Sequence, residues 1–168
     1  MKKLIFLSVI LFIFSLANAQ KKSSNDFRLG LGATKIATGD LIGGTFYNSY
    51  NYYLHKNFAV EPSFNFSYAE NGATKTATYI NTDANLYFIP LPYYPIARFK
   101  FGFGASVAYL HNSAGANIQK ELTYGSLFVF AYDIPVSRYS VIGLKLAQNR
   151  FNNKDINTTL SINAGFKF

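Results

Sequence analysis

The sequence predicts an all-β fold: an eight-stranded, antiparallel, up-and-down transmembrane β-barrel. The final segment, residues 156–168, alternates apolar or small residues with polar or small ones, which is the two-residue period of a strand. It is longer than the about five or six residues usual in soluble proteins. It suits the roughly 9 to 11 residues that cross a bilayer at a tilt. Charged residues make up 14% of the chain and aromatic residues 18%, whereas soluble domains carry about 25% charged residues.

The first residues have the organisation of a secretory signal peptide. Two lysines give a positive start, residues 4–16 form an apolar run, and residues 17–19 are the small-x-small sequence Ala-Asn-Ala. This apolar run is shorter than the roughly 20 residues that a spanning helix needs. We therefore predict a cleaved signal peptide at residues 1–19 and a β-barrel domain at residues 20–168.

Each predicted strand places bulky apolar residues on one face and small or polar residues on the other, as in a barrel wall. The alternation is clearest in the third and fifth strands. The phase of the second strand is ambiguous, and the sixth and seventh are apolar on both faces in places, so their register stays open. The predicted strands cover residues 27–37, 45–54, 58–69, 77–89, 98–109, 122–134, 138–148 and 156–168.

The connections are predicted to differ between the two ends of the barrel. Two short turns, at residues 56–57 and 135–137, and a rigid, somewhat longer one at residues 90–95 would face the periplasm together with both termini. Four longer polar loops would face outward, at about residues 38–44, 70–75, 111–121 and 149–155. Aromatic residues near the strand ends predict two interfacial girdles, and the outer girdle would contain Phe46, Tyr68, Tyr79, Tyr109, Tyr124 and Phe151.

An eight-stranded barrel has an interior just wide enough for side chains. Charged residues at inward-facing positions are Arg28, Glu61, Asp83, Arg98, Lys100, Asp133, Lys145 and Lys167. Buried charges persist in a low dielectric when they are paired, so we predict a network of ion pairs that plugs the lumen. Two alternatives stay open: some of these carboxylates could be catalytic, and the barrel could be a small-solute porin.

His111, Asn112 and Ser113 form the candidate catalytic motif. His and Ser two positions apart on a strand share one face, and Glu121 could approach as the orienting acid. The motif resembles the His-x-Ser of the lipid A deacylases, small outer-membrane barrels that use a Ser, His and Glu set at the outer leaflet. In that family the motif lies near the end of the chain. We predict that the protein is not an enzyme and keep this hydrolase as the alternative.

The final strand, with Phe166 and Phe168 on its apolar face, resembles the C-terminal strand of outer-membrane β-barrels. In those proteins the final aromatic residue is part of the signal read by the barrel assembly machinery. Over the mature chain, the pattern resembles small eight-stranded, porin-like barrels of Gram-negative outer membranes. The resemblance implies contacts with outer-membrane lipids and lipopolysaccharide. It also implies a structural, adhesive or surface-binding role through the outer loops.

Composition argues against several other classes of protein. The chain has no cysteine, so disulfides do not hold it together, and His55 and His111 are too distant in sequence to suggest a metal site. Without Lys2 and Lys3, 14 basic and 8 acidic residues remain, a net formal charge of +6. These charges are scattered singly, which favours lipid headgroup contacts over nucleic acid. We expect a monomer without a cofactor or metal.

Overall fold

The computed structural model describes residues 25–37, 40–72, 75–91, 97–114 and 117–168. These residues form eight antiparallel strands in chain order, and the sheet closes because β1 pairs with both β2 and β8. The predicted fold class is confirmed. The predicted signal peptide lies outside the described residues. The strands are β1 Asp26–Ile36, β2 Leu41–His55, β3 Phe58–Asn71, β4 Lys75–Phe88, β5 Arg98–Ala114, β6 Asn117–Pro135, β7 Ser140–Phe151 and β8 Ile156–Lys167.

The wall of the barrel is apolar outside and largely polar inside. On β1, Leu31 is 68% exposed while Arg28 is 2% exposed, and on β5 Phe103 is 59% exposed while Lys100 is 1% exposed. All eight strands expose large apolar side chains in this way. A contiguous apolar surface of this size is not stable in water, so the fold is that of a membrane-spanning barrel. Among the described residues, no helix is long and apolar enough to cross a membrane.

Strand pairing sets the register that the sequence left open. On β2, Phe46 and Tyr52 face outward, while Tyr47 is buried in the lumen. On β6, Phe128 faces outward and Leu127 inward. The lumen therefore accepts some large apolar and aromatic side chains, which is why alternation alone could not fix these strands.

The prediction of four long outer loops is wrong. We call the end of the barrel opposite Phe168 the outer end, in the predicted orientation. Its four connections contain four, three, two and four residues, because most of the polar segments predicted as loops continue the strands. The longest connection, residues 89–97, lies at the opposite end. Beyond a membrane both faces of a hairpin meet water, so its strands become polar and lose the alternation that identifies a strand.

The outer mouth of the lumen is closed by an apolar plug. Tyr79 and Phe151, predicted in the outer girdle, instead point inward and are 0% and 5% exposed. Their rings stack with centroids 5.6 Å apart. Ile36, Leu41 and Leu110 pack in the same cluster. The prediction failed because it assigned every aromatic residue near a strand end to the lipid face.

Candidate functional site

A first ionic cluster fills the lumen near the chain termini. Arg28 donates to Asp133 at 2.5 and 2.9 Å and to Asp26 at 2.5 and 3.0 Å. The Nζ of Lys100 lies 2.9 Å from Oδ2 of Asp133, an oxygen that also accepts from Arg28, and it donates to Asn51 at 3.3 Å. All five side chains are buried. Two cations and two carboxylates thus neutralise one another where water could not solvate them.

A second cluster lies next to the first and is centred on Glu61. The Oε1 of Glu61 is 2.6 Å from the Nζ of Lys145. The Glu61 carboxylate also accepts hydrogen bonds from Tyr87 at 3.0 Å and from Ser49 at 3.2 Å. The ammonium group of Lys145 also lies over the Tyr47 ring, 4.6 Å from its centroid. Such a paired and hydrogen-bonded carboxylate has no free face for a substrate.

Lumen glycines make room for two of these aromatic rings. A Cβ atom at Gly102 would lie 2.7 Å from the Tyr87 ring, and one at Gly30 would collide with Tyr47. The absence of a side chain at these glycines therefore lets the two rings pack beside the ion pair of Glu61 and Lys145. Closely spaced glycines serve packing here.

The other predicted lumen charges do not join the two clusters. Asp83 accepts hydrogen bonds from the amides of Asn65 at 2.6 Å and Asn81 at 2.9 Å. The small cavity beside it has room for about one water molecule. Arg98 and Lys167 lie at the rim near the termini, and neither has a carboxylate within 4.0 Å in the described part of the chain.

Sequence analysis missed one central member of the network, Asp26. It lies two residues before Arg28 and so shares the inward face, but the predicted strand began one residue after it. It also missed Asp155, which accepts a hydrogen bond of 2.6 Å from Tyr79 below the outer mouth. Extending the predicted first strand by one residue, with the same alternation of faces, would have placed Asp26 in the lumen.

We expect the barrel not to conduct ions. The two ionic clusters, the tyrosine rings and the apolar plug fill the described part of the lumen with buried side chains. Planar-bilayer recordings of the purified protein should show no steady single-channel current. Reproducible channels of uniform size would contradict the closed lumen and support the porin alternative.

The residues of the hydrolase alternative are not assembled. Register places His111 opposite Lys120 and Ser113 opposite Ile118, on the outward face, whereas Glu121 lies opposite Leu110. Leu110 is buried, so Glu121 belongs to the inward side of the hairpin. Glu121 accepts a hydrogen bond of 3.5 Å from Asn153, and no hydrogen bond joins the three candidate residues among those described.

Metal chemistry has no visible support either. Within the described ranges, no three His, Cys, Asp or Glu side chains lie close enough to hold a metal ion. The Nδ1 of His55 accepts a hydrogen bond of 3.3 Å from the backbone of Asn57 in its turn.

We expect Ser113→Ala to leave lipid A unchanged. A nucleophile needs an oriented base, and Glu121 is on the wrong face of the hairpin to orient His111. Mass spectra of lipid A from cells with wild type, Ser113→Ala and empty vector should match. An acyl chain lost only with wild type would show that the hairpin rearranges into an active site.

The structure also contains an open strand edge at the outer end. β6 pairs with β5 from Asn117 onward, but its pairing with β7 begins only at Gly125. The last backbone hydrogen bond on that side is from the amide of Asn152 to the Tyr124 carbonyl at 2.9 Å, and beyond it the side chains of Thr123 and Glu121 contact the β7–β8 connection, at Asn152 and Asn153. Residues 117–123 of β6, which we call the β6 edge, therefore have no strand partner on this side among the described residues.

The fold and the filled lumen define the class: the chain has the fold of the small eight-stranded outer-membrane β-barrels. No protein-family model and no curated protein matches the sequence. Solved structures do match. Neisserial surface protein A has a TM-score of 0.73 at 11% identity, over 88% of this chain and 100% of that one. The attachment invasion locus protein Ail of Yersinia pestis has a TM-score of 0.67 at 13% identity, with the same coverage.

An enzyme shares the fold as well. The outer membrane enzyme PagL has a TM-score of 0.51 at 11% identity, over 85% of this chain and 99% of that one. At such identities the likeness shows the fold alone, and function depends on the residues that each barrel presents.

Proposed function

We propose that the protein is an outer-membrane surface-binding barrel whose β6 edge takes up an extended segment of another protein. The single observation that carries this proposal is the absence of a strand partner along residues 117–123. In this proposal the chain is exported by a signal peptide cleaved after Ala19 and assembled as a monomer. The name of the structurally similar attachment invasion locus protein agrees with an adhesive role.

Backbone geometry makes the β6 edge a template for a further strand. The Tyr124 carbonyl points toward β7, and backbone groups alternate in direction along a strand. The N–H and C=O groups of Leu122, Lys120 and Ile118 therefore point to the same open side. An extended peptide can pair with such a row and form the main-chain hydrogen bonds of an added strand.

Side chains add an apolar component to this edge. Ile118 is 63% exposed and Leu122 is 72% exposed, on either side of Lys120 on the same outward face. Proteins usually protect an open edge with charges, proline or a bulge. Here a single lysine stands between two apolar residues, which suits an alternating partner strand better than bulk solvent.

The interior supports the same conclusion by elimination. Glu61, Asp133 and their cationic partners are engaged with one another, so these charged groups of the described lumen are not available to bind a solute. The remaining outer connections are turns of three or four residues. The β5 and β6 hairpin is thus the largest surface at the outer end.

We expect Lys120→Pro to weaken adherence several-fold while the barrel still folds. Proline removes the N–H that faces the open side and spares the pairing of β6 with β5, as is tolerated on edge strands. One lost hydrogen bond is worth about 1 kcal/mol. The measurement is adherence of cells expressing each variant to immobilised extracellular-matrix proteins and to cultured epithelial cells.

Lys120→Ala is the matched control, because it removes the charge and keeps the N–H. It should adhere like the wild type, and heat-modifiable gel mobility should show that both variants are folded. The proposal fails if wild-type cells adhere no better than cells with empty vector, or if the proline and alanine variants behave alike.

A further inference from the structure

A groove on the outer wall combines a small-residue floor with a cation. It lies between the middle of β5 and β6 and the outer end of β7, and its volume is about 600 Å³. Ala105 and Ser126 are directly paired across β5 and β6, so two small outward side chains meet at its floor. Its outward-facing lining residues are Phe103, Ala105, Tyr124, Ser126, Arg150 and Asn152.

The groove is apolar toward the middle of the membrane and polar toward its outer surface. β5 runs toward the outer end, so Phe103 lies on the membrane-core side of Ala105 and pairs with Phe128, with ring centroids 5.2 Å apart. Tyr124 pairs with Val107 and so lies on the outer side of Ala105, and a tyrosine suits the interfacial level of a membrane. This polarity matches a lipid whose acyl chain points inward and whose headgroup stays at the surface.

Arg150 places a positive charge in the groove, which favours an anionic lipid over a neutral one. Its Nε donates to Gln148 at 3.1 Å, and no carboxylate of the described residues lies within 4.0 Å of its guanidinium. By contrast, the exposed Lys35 near the outer end of β1 is paired with Asp40 at 3.0 Å. The free N–H groups of a guanidinium form a planar fork that matches the oxygens of a phosphate.

We infer that this groove is a binding site for a phosphorylated lipid of the outer leaflet. The phosphate lies on Arg150, with Ser126 and Asn152 beside it, and one acyl chain crosses Ala105 and packs on the rings of Phe103 and Phe128. The inference rests on the outer-membrane location in the proposed function, but it does not depend on the β6 edge.

The test is a titration of the refolded, delipidated barrel in detergent with lipid A that carries both phosphates, with bound lipid counted by native mass spectrometry. Arg150→Gln should bind about fivefold more weakly, which corresponds to one cation at a membrane surface. Ala105→Phe, which fills the floor of the groove, should also reduce binding. Lys35→Gln is the matched control and should bind like the wild type, because its charge is outside the groove.

Two further probes separate the sources of binding. Lipid A without phosphates should bind wild type and Arg150→Gln equally, and inorganic phosphate at millimolar concentration should not displace the intact lipid. Equal losses in Arg150→Gln and Lys35→Gln would overturn the inference, since diffuse charge would then explain binding. Unchanged binding in Ala105→Phe, or displacement by phosphate alone, would overturn it as well. Gel mobility verifies folding, and the adherence assay is independent of this result.

Discussion

Asp133→Ala should lower the free energy of unfolding by about 3 to 5 kcal/mol, because it leaves two buried cations without their shared partner. Arg28 donates to both oxygens of Asp133, and Lys100 lies 2.9 Å from it. Arg28 and Lys100 are 2% and 1% exposed, so solvent compensates little for the lost carboxylate. Urea unfolding in lipid vesicles, followed by circular dichroism and gel mobility, measures the loss.

An exposed ion pair provides the matched control. Lys35→Ala removes one partner of a pair whose side chains are 59% and 75% exposed, and it should cost about 0 to 1 kcal/mol. A double variant in which Lys100 and Asp133 become Met and Leu should recover much of the stability, since Arg28 keeps its pair with Asp26 and no buried charge of the cluster is left unpaired. If Asp133→Ala costs no more than Lys35→Ala, water reaches the lumen and the cluster is not buried in the membrane.

Phe168→Asp should reduce the amount of assembled protein in the outer membrane several-fold. The Phe168 side chain is 68% exposed on the lipid side, its ring lies 5.9 Å from that of Tyr50, and its amide donates to the carbonyl of Asn25 at 3.0 Å. It is therefore the last paired position of the wall between β8 and β1. The proposal is that the assembly machinery reads this aromatic together with Phe166.

Comparing assembly in cells with refolding in lipid vesicles separates recognition by the assembly machinery from the stability of the barrel. A carboxylate near the interface costs at most about 1 kcal/mol, so the purified Phe168→Asp variant should still refold into lipid vesicles. Tyr139→Asp is the control at the same rim, because Tyr139 is 64% exposed and its carbonyl accepts the Lys167 amide. Equal outer-membrane levels of the two variants would argue against a special role for Phe168.

The strands, and the face on which each residue lies, could be predicted from sequence wherever the lipid side requires an apolar residue and the lumen side a polar one. Phe103 and Lys100 follow the alternation because one contacts lipid and the other an ion pair. The rule fails for Tyr79 and Phe151, since a closed lumen can be filled by rings as well as by charges. The sequence does not show whether aromatic rings or ion pairs fill the lumen at a given height along the barrel axis.

The partners inside the network could be predicted only in part. The inward position of Asp133 follows from phase, but its contact with Arg28 joins strands that are distant in the chain and depends on the register of the closed sheet. Glu121 shows the same limit. Its face is fixed by pairing with Leu110, and this pairing, unlike the spacing to His111, determines whether a catalytic set can form.

The short outer connections determine what must pass through the bilayer during insertion. In three of the four outer hairpins the described strands are paired with each other up to a connection of three or four residues, so few strand backbone groups cross lipid unpaired. The β6 edge is the exception, because unpaired N–H and C=O groups cost several kcal/mol each in hydrocarbon. Among the described outer hairpins, the β5 and β6 hairpin therefore brings the longest row of unpaired strand backbone into lipid during insertion.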